Sequence, residues 1–446
     1  MSYQAAVERM YALGHELAHG SVRKFDLGHM RVLLDALHNP ERKFPSVLIA
    51  GTNGKGSTAA TLASILQASG VRAGLYTSPH LVRINERIQI DRTQISDVDF
   101  ALLHDVVDRT AERLVEEHEL PWHPSFFEML TAIAFEYFAQ HKVELAVLEV
   151  GMGGRLDATN VVEPLLSVIT DISLDHQKFL GNTVAEIAAE KAGIIHQHGT
   201  LVTLPQQPEA NRVIGEVALK MNARGVSAVP YMPPVSPASP GLMSPHDVIC
   251  RYPLEVTDQQ ITVETALLGR HQLRNIALAI ATANELATLR FPVTPATIER
   301  GIRETRWPGR FQIIPASEKS PEYVLDVAHN PAGAWALRSA LSARYDEKPF
   351  TLIFGAMRDK AIAEMAEILF PLARHVIITR AENPRSASFE EIRAAACRIP
   401  VELLESANVN TAIEAAKSLS GAEQAVAITG SIYVVGEAMQ FLGLKP

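Results

Sequence analysis

The segment GTNGKGST, from Gly51 to Thr58, constrains the fold more than any other part of the chain. It follows Ser46–Ala50, which reads SVLIA and is a short apolar run typical of a buried strand. A helical pattern begins at Ser57. Backbone amides at such a strand–loop–helix junction turn toward an anion, and the helix N-terminus adds partial positive charge. The segment therefore predicts a phosphate-binding loop in an α/β fold.

The residues of this loop that are predicted to contact a nucleotide are Thr52, Asn53, Gly54, Lys55, Gly56 and Ser57. Lys55 can bridge the terminal phosphates, and the Ser57 hydroxyl can reach a magnesium ion. The match to the standard phosphate loop is imperfect, because Ile49 stands where the first glycine belongs and Gly56 separates Lys55 from Ser57. A glycine-rich turn without a ligand is the alternative. The order of strand, lysine, hydroxyls and helix favours the phosphate loop.

Polar side chains also stand at the ends of three further predicted strands. Ser78 follows the second strand, Glu149 ends the apolar run ELAVLEV, and His176 follows the strand after that. Taken singly, such a carboxylate is as readily a turn cap, and such a histidine is more often structural. Because the carboxyl ends of parallel strands meet at one sheet edge, the three together predict a magnesium site with Ser57.

Two further motifs have ordinary structural interpretations. GMGGRLDATN, from Gly151 to Asn160, resembles a dinucleotide-binding turn, but Leu156 occupies its third glycine position, so a tight turn after Glu149 is favoured. Lys191 ends a predicted helix just before Gly193. From this spacing alone, Lys191 is predicted to complement the helix dipole.

Strands alternate with helices, which predicts a mainly parallel sheet covered by helices on both faces. Residues 229–246 contain six prolines and are predicted to form an irregular surface loop. The pattern breaks near Trp307, and a second α/β series follows. Its predicted strands are Tyr323–Ala328, Phe350–Gly355, His375–Thr379, Val401–Leu404 and Ala425–Thr429. We therefore predict two domains, residues 1–307 and residues 308–446.

Composition excludes several classes of protein. The chain has 446 residues, more than the ~250–300 that one hydrophobic core usually serves. Its net charge of −9 argues against general nucleic-acid binding, and no apolar run approaches the ~20 residues that span a membrane. Its only cysteines, Cys250 and Cys397, exclude a disulfide framework and a cysteine zinc site. The N-terminus lacks the pattern of a secretory signal, so we expect a cytoplasmic protein without membrane partners, and a monomer.

Several stretches, in this order along nearly the whole chain, resemble the folylpolyglutamate synthase/dihydrofolate synthase family of the Mur ligase superfamily. They are FDLGHMRV, GTNGKGS, YTSPHLVRINERI, SFFEMLTA, EVGMGGRLDATN, DHQKFLG, EKAGII, HQLRNIALAI, RWPGRF, DVAHNP and ITGSIYVVGE. The resemblance implies an α/β protein with a phosphate-loop, Mur-ligase-like parallel-sheet domain and a smaller Rossmann-like domain. His29 and Val327 depart from the family pattern, where an aliphatic residue and a glycine are common.

The resemblance also implies roles for single residues. Lys55, Lys191 and His176 would be catalytic, with Lys191 carrying CO₂ as a carbamate. Ser57, Ser78, Glu149 and His176 would hold one or two Mg²⁺ ions, while Asn275, Arg310, Asp326 and His329 would complete the ATP site. The substrate-facing residues would be Asp26, Leu27, Gly28, Ser78, His80, Phe126, Phe127, Leu156, Asp157 and Ala158.

The implied reaction is ATP-dependent joining of L-glutamate to dihydropteroate or to folates, by way of an acyl phosphate. A cell-wall Mur ligase is an alternative, but the phosphate loop begins at Gly51 and leaves no room for a domain that binds a UDP moiety. A phosphate-loop kinase or regulatory ATPase would need no amino-acid acceptor. A non-catalytic scaffold would be expected to have lost Lys55, Ser57 or Glu149.

Overall fold

A computed structural model describes residues 1–14, 27–233, 248–318, 320–345, 348–420 and 424–445 of the chain. Asp26 and most of the proline-rich stretch 229–246 lie outside these residues, so what the sequence predicts for them stays a prediction. Within the described part, the protein has two sheet-based bodies and a small hairpin.

The first body is built on a sheet of eight strands among the described residues. They are β1 (Ser46–Ala50), β2 (Ala73–Tyr76), β3 (Ile88–Ile90), β4 (Thr93–Gln94), β5 (Leu145–Glu149), β6 (Leu166–Ile169), β7 (Thr200–Thr203) and β8 (Arg224–Ser227). Their order is β4-β3-β2-β5-β1-β6-β7-β8, parallel from β2 to β8 and antiparallel at the β3–β4 edge. The predicted mainly parallel sheet is confirmed.

Helices cover both faces of this sheet. They are α1 (Tyr3–Ala12), α2 (Leu27–Ala36), α3 (Lys55–Ala68), α4 (Asp97–Glu116), α5 (Phe126–Gln140), α6 (Gln177–Leu180), α7 (Val184–Ala192), α8 (Pro208–Lys220), α9 (Arg270–Thr288) and α10 (Pro295–Glu304). The side chains of alternate residues of β1 point to opposite faces of the sheet. Val47 packs in the core with α3 and α9, and Leu48 packs in the core with α5. Capping fixes where some helices begin, as at α5, where Ser125 and Glu128 cap each other's backbone amides.

The antiparallel hairpin of β9 (Cys250–Val256) and β10 (Gln259–Thr265) packs beside α10. The second body has a sheet ordered β11-β12-β16-β13-β14-β15 among the described residues, parallel except for β11. Its strands are β11 (Gln312–Ile314), β12 (Glu322–Leu325), β13 (Phe350–Phe354), β14 (His375–Ile378), β15 (Leu403–Glu405) and β16 (Ala425–Thr429). Its helices are α11 (Pro331–Tyr345), α12 (Ile362–Leu369), α13 (Phe389–Ala395), α14 (Val409–Ser420) and α15 (Ile432–Phe441).

Two details of the predicted elements differ from the structure. The strand predicted at Val401–Leu404 lies at Leu403–Glu405, because its pairing with β14 sets its limits. The sequence also missed six strands, which are β3, β4, β7, β8, β9 and β11. Of these, β7 and β8 are only four residues each, and β8 is largely exposed at the sheet edge. The last helix of the first body ends at Glu304 and β11 begins at Gln312. A domain division at residue 308 stays a prediction.

None of the helices in the described part of the chain has the length and apolar character required to cross a membrane.

Candidate active site

A cavity of about 520 Å³ lies where the carboxyl edge of the first sheet meets the second body. Its lining includes all the described residues that the sequence predicts to bind nucleotide or metal or to be catalytic. These are Thr52, Asn53, Gly54, Lys55, Gly56, Ser57, Ser78, Glu149, His176, Lys191, Asn275, Arg310, Asp326 and His329. The strand ends, α7 and α9 of the first body position the groups up to Asn275. The second body supplies Arg310, Asp326 and His329.

The loop between β1 and α3 is held in one conformation by its neighbours. The main-chain carbonyl of Asp171 accepts hydrogen bonds from the amides of Thr52 (2.8 Å) and Asn53 (3.2 Å). Gly54 has a φ of +91° and precedes the first turn of α3, whose N-terminus faces the cavity. Lys55 folds back over the loop and donates from Nζ to the Thr52 carbonyl at 3.2 Å. This arrangement suits an anion, because the amides of the first turn of α3 and the Lys55 ammonium lie on one wall of the cavity.

Glu149 and Ser78 meet at the ends of the adjacent parallel strands β5 and β2. The Ser78 amide donates to Oε2 of Glu149 at 3.2 Å, and Glu149 is only 4% exposed. Burial raises the pKa of the Glu149 carboxyl, although the charges of Lys55 and Arg310 oppose this shift. A buried carboxylate of this kind gains from a nearby cation.

His176 directly precedes α6 and has a left-handed backbone, and burial lowers the pKa of its imidazole to about 4. Its ring is therefore neutral near pH 7, as a metal ligand must be. The preceding Asp175 accepts hydrogen bonds from Nζ of Lys360 (2.8 Å) and Nδ2 of Asn330 (3.0 Å). Burial alone would raise the pKa of Asp175, but the His329 imidazole and the Lys360 ammonium hold it well below its usual range.

The position of Lys191 differs from what its spacing alone predicts. Its Nζ atom donates to the carbonyl of Gly51 at 2.7 Å, behind the phosphate loop, and the residue is 4% exposed. It therefore points into the cavity wall and does not simply complement the helix dipole. Burial, with the nearby Lys55 charge, lowers the pKa of Lys191 to about 7. An amine that is partly neutral near pH 7 can act as a nucleophile.

Asp326 holds together the part of the cavity that the second body contributes. Its carboxylate accepts hydrogen bonds from the amides of Phe311 (2.8 Å) and Ala328 (2.9 Å). Burial raises its pKa, with His271 and Arg310 acting in the opposite direction. These contacts fix the Arg310 segment opposite the phosphate loop.

A second cavity, of about 360 Å³, lies beside the first and is also shared by the two bodies. His80 and Phe126, both predicted to face the substrate, line it together with Arg87, Tyr433 and Glu437. Nε of Arg87 donates to Nδ1 of His80 at 2.9 Å. The cavity thus combines aromatic rings with groups of both charges.

The other predicted substrate residues are placed differently. Ser78 lines the first cavity, whereas neither described cavity lining includes Leu27, Gly28, Phe127, Leu156, Asp157 or Ala158. Phe127 packs so closely on Gly151 that a Cβ there would lie 2.5 Å from its ring. Asp157 accepts hydrogen bonds from the amides of Met152 and Thr159, so it stabilises the turn after β5.

Sequence reasoning missed Asp171 and Arg274, which line the first cavity. It also missed Asn330 and Lys360, which bond to residues of that lining. Asp171 follows β6 just as Ser78 follows β2, so it could have been found as another polar residue at the carboxyl end of a parallel strand. Asn330 follows His329 and donates to Oδ1 of Asn53 at 3.0 Å. Arg274 and Lys360 carried no signal, because their partners lie about a hundred or more residues away in sequence.

The donor set fits magnesium better than a transition metal. Among the residues that the structure describes, no group of three or more His, Cys, Asp or Glu side chains could hold a metal ion. A carboxylate and serine hydroxyls, with remaining positions left to phosphate oxygens and water, are the coordination that Mg²⁺ favours.

The chain combines a phosphate loop with a second α/β body that completes its cavity, and both parts match domains of the Mur ligase class. The Mur ligase middle domain matches residues 127–283, and the Mur ligase glutamate ligase domain matches residues 309–432.

The chain is 34% identical over 439 residues to the dihydrofolate synthase/folylpolyglutamate synthase of Bacillus subtilis, covering 94% of this chain and 96% of that one. It is 36% identical over 422 residues to the folylpolyglutamate synthase of Lacticaseibacillus casei, covering 93% and 94%. The structure of Mycobacterium tuberculosis folylpolyglutamate synthase complexed with ADP has a TM-score of 0.85 at 29% identity, with 100% of both chains covered. The chain therefore belongs to the dihydrofolate synthase/folylpolyglutamate synthase family. It is an enzyme, an ATP-dependent glutamate ligase of folate metabolism.

Proposed function

We propose that this ligase attaches L-glutamate both to dihydropteroate and to the γ-carboxylate of tetrahydrofolates. The ATP γ-phosphate passes to the substrate carboxylate and gives an acyl phosphate and ADP. The α-amine of glutamate then attacks the acyl carbon, and phosphate leaves as the amide forms. The observation that carries this proposal is one cavity with a phosphate loop on one wall and Arg310, Asp326 and His329 on the other.

The residues of the phosphate loop would bind ATP by charge and by backbone geometry. The amides from Gly54 to Ser57 and the Lys55 ammonium would face the phosphates, while the amides of Thr52 and Asn53 hold the loop on Asp171. Asn275, which packs against Gly54, and Arg310, on the wall of the second body, would contact the nucleotide, and Asp326 and His329 would close the site. Positioning and charge neutralisation are the main tasks in phosphoryl transfer.

Ser57, Ser78, Glu149 and His176 would hold Mg²⁺, as one ion or two. The bound metal would offset the charge of the triphosphate and polarise the γ-phosphate. The buried Glu149 carboxyl, with its raised pKa, supports this role because it lacks a directly bonded cationic side chain among the described residues.

Lys191 would react with CO₂ as a neutral amine and become a carbamate. This converts a buried cation into an anion that can help to order the metal ions. The lowered pKa of Lys191, about 7, supports the proposal because the neutral form is accessible at physiological pH.

The second cavity would receive the pterin end of the substrate. Its aromatic side chains suit a flat ring, and Arg87 and Glu437 suit the ring's polar edge. Leu27, Gly28, Phe127, Leu156, Asp157 and Ala158 line neither cavity, so a substrate-facing role for them, as for Asp26, stays a prediction from the resemblance. We also propose that the enzyme is a monomer, that it is cytoplasmic, and that its two domains divide at residue 308.

One assay tests the proposed function. ADP release is measured with ATP, Mg²⁺ and glutamate in the presence of dihydropteroate, tetrahydrofolate or neither. We expect release with either pterin substrate and almost none without one. ADP release that ignores glutamate would favour a kinase or regulatory ATPase, and stimulation by a UDP-muramoyl substrate would favour a cell-wall ligase.

A further inference from the structure

Arg274, in the first turns of α9, joins three segments at the edge of the first cavity. Its Nε atom lies 3.0 Å from both carboxylate oxygens of Asp171, and Nη2 lies 2.6 Å from Oδ1. Nη2 also donates to the carbonyl of Pro205 at 2.9 Å. One guanidinium thus ties α9 to the chain that follows β6 and to the chain that follows β7.

Asp171 is also the residue on which the phosphate loop rests. Its carbonyl accepts the amides of Thr52 and Asn53, and the hydroxyl of Thr52 donates to the Ser173 carbonyl at 3.0 Å. Any rotation of the Asp171 backbone would therefore move the start of the phosphate loop. The two-point contact with Arg274 restrains that rotation, because a fork-shaped guanidinium fixes the carboxylate plane.

The charge of Asp171 matters as well as its geometry. Asp171 and Arg274 both line the cavity that holds the phosphate loop, and their side chains are about a third exposed. An unpaired carboxylate at this position would repel a triphosphate. Paired with Arg274, it supplies two backbone contacts to the loop without leaving a free negative charge in the anion site.

We propose that Arg274 is a positioning residue for ATP, which neutralises Asp171 and holds it in the orientation that the phosphate loop requires. This inference rests on the proposed function, since it assumes that the cavity takes a nucleoside triphosphate. Arg274 itself need not touch the reacting atoms.

The test is a double-mutant cycle on the full-length enzyme with AMPPCP as the binding probe. The variants are Arg274→Met, Asp171→Asn and the pair together, with Arg270→Met as the control, since Arg270 is exposed one turn earlier on the same helix. We expect Arg274→Met to raise the Kd for AMPPCP about tenfold, because the Asp171 charge is left unpaired. Asp171→Asn should raise the Kd at most about threefold. The double variant should bind more tightly than Arg274→Met but less tightly than wild type, because the repulsive charge is gone while the two-point contact is still missing.

Kinetics separates positioning from loss of structure. Arg274→Met should raise the KM for ATP by a similar factor while the KM for glutamate stays unchanged. Arg274→Lys, which keeps the charge but loses the two-point contact, should fall between wild type and Arg274→Met. If Arg274→Met does not fold, Arg274→Gln serves in its place by the same criterion.

The inference is overturned if Arg274→Met binds AMPPCP as wild type does, or if the double variant binds as weakly as Arg274→Met. Failure of the wild-type enzyme to bind AMPPCP is a different result, because it overturns the proposed function itself. Weaker binding by Arg270→Met to the same degree would show that any lost charge on α9 has this effect, and would also overturn the inference.

Discussion

Burial acts in opposite directions on the carboxyl of Glu149 and the amine of Lys191. It raises the pKa of the first and lowers the pKa of the second, because in both cases it disfavours the charged form. A cation bound beside Glu149 would reverse the first shift. Addition of CO₂ to Lys191 would remove the second, since a carbamate no longer carries the ammonium. Both groups therefore gain from the ligands proposed for this site.

Glu149→Gln is expected to lower kcat/KM for ADP formation at least ~100-fold, because a group that stabilises charge in the transition state is lost. The change keeps the size of the side chain, so the fold should persist. Steady-state rates across a range of Mg²⁺ concentrations provide the measurement. Glu119→Gln, at an exposed position, is the matched control. Near-normal activity of Glu149→Gln would remove Glu149 from the metal site.

Lys191 should make the activity depend on both CO₂ and pH. Only the neutral amine reacts with CO₂, and with a pKa of about 7 its neutral fraction grows as the pH rises through 7. At a fixed concentration of dissolved CO₂, activation over CO₂-free buffer should be greater at pH 8 than at pH 6. Initial rates and native mass spectrometry measure the effect. Equal rates with and without CO₂ at both pH values would contradict the carbamate.

The loop between β1 and α3 shows how closely an element can be fitted to its neighbours. A Cβ on Gly51 would lie 1.8 Å from Oγ1 of Thr170, and a Cβ on Gly54 would lie 2.1 Å from Oδ1 of Asn275. The first position faces the end of β6 and the second faces α9. The loop is thus confined between the sheet and a helix more than two hundred residues later in the chain.

Gly54→Ala should abolish tight nucleotide binding and destabilise the fold more than Gly70→Ala. Both glycines have a positive φ, +91° and +80°, so both substitutions carry a backbone cost of about 1–2 kcal/mol. Nothing lies within 4 Å of a Cβ at Gly70, so only Gly54→Ala adds a clash. Urea unfolding and AMPPCP titration compare the two. Equal loss of stability in the two variants would show that crowding by Asn275 is unimportant.

The most buried strands of the first sheet could be read from the sequence, and its exposed edge strand β8 could not. β1, β5 and β6 are buried on both faces, and each appears as an unbroken apolar run. β8 reads RGVS and is mostly exposed, so neither alternation nor an apolar run marks it. Its existence depends on hydrogen bonds to β7, which come from pairing in the folded chain.

The two bodies meet through contacts between residues that are far apart in the chain. Asn330 bonds to Asn53 of the phosphate loop, and Lys360 bonds to Asp175. Near the second cavity, Gly436 of α15 lies against Leu81 so closely that a Cβ would be 2.0 Å from the Leu81 carbonyl oxygen. Both cavities therefore exist only when the bodies are in contact, and their closure would exclude water from the reaction.

Gly436→Ala should prevent this contact without unfolding either body. We expect kcat/KM to fall at least ~100-fold, because the groups on the two walls lose their alignment. Small-angle X-ray scattering with nucleotide should show a larger radius of gyration than wild type.

Gly215→Ala in α8 is the control, since nothing lies within 4 Å of its Cβ and the change should stabilise the helix by about 0.5–1 kcal/mol. Wild-type rates and scattering for Gly436→Ala would show that the closed arrangement is not needed for catalysis.

The sequence by itself determined the phosphate loop and the polar groups at the strand ends. Both follow from local rules, because a parallel sheet brings the carboxyl ends of its strands to one edge wherever the chain goes between them. Only the tertiary structure decided that Lys191 turns toward Gly51, 140 residues away, and that Arg274 pairs with Asp171. The direction of a long side chain depends on which distant groups fold against it, and neither spacing nor composition encodes that choice.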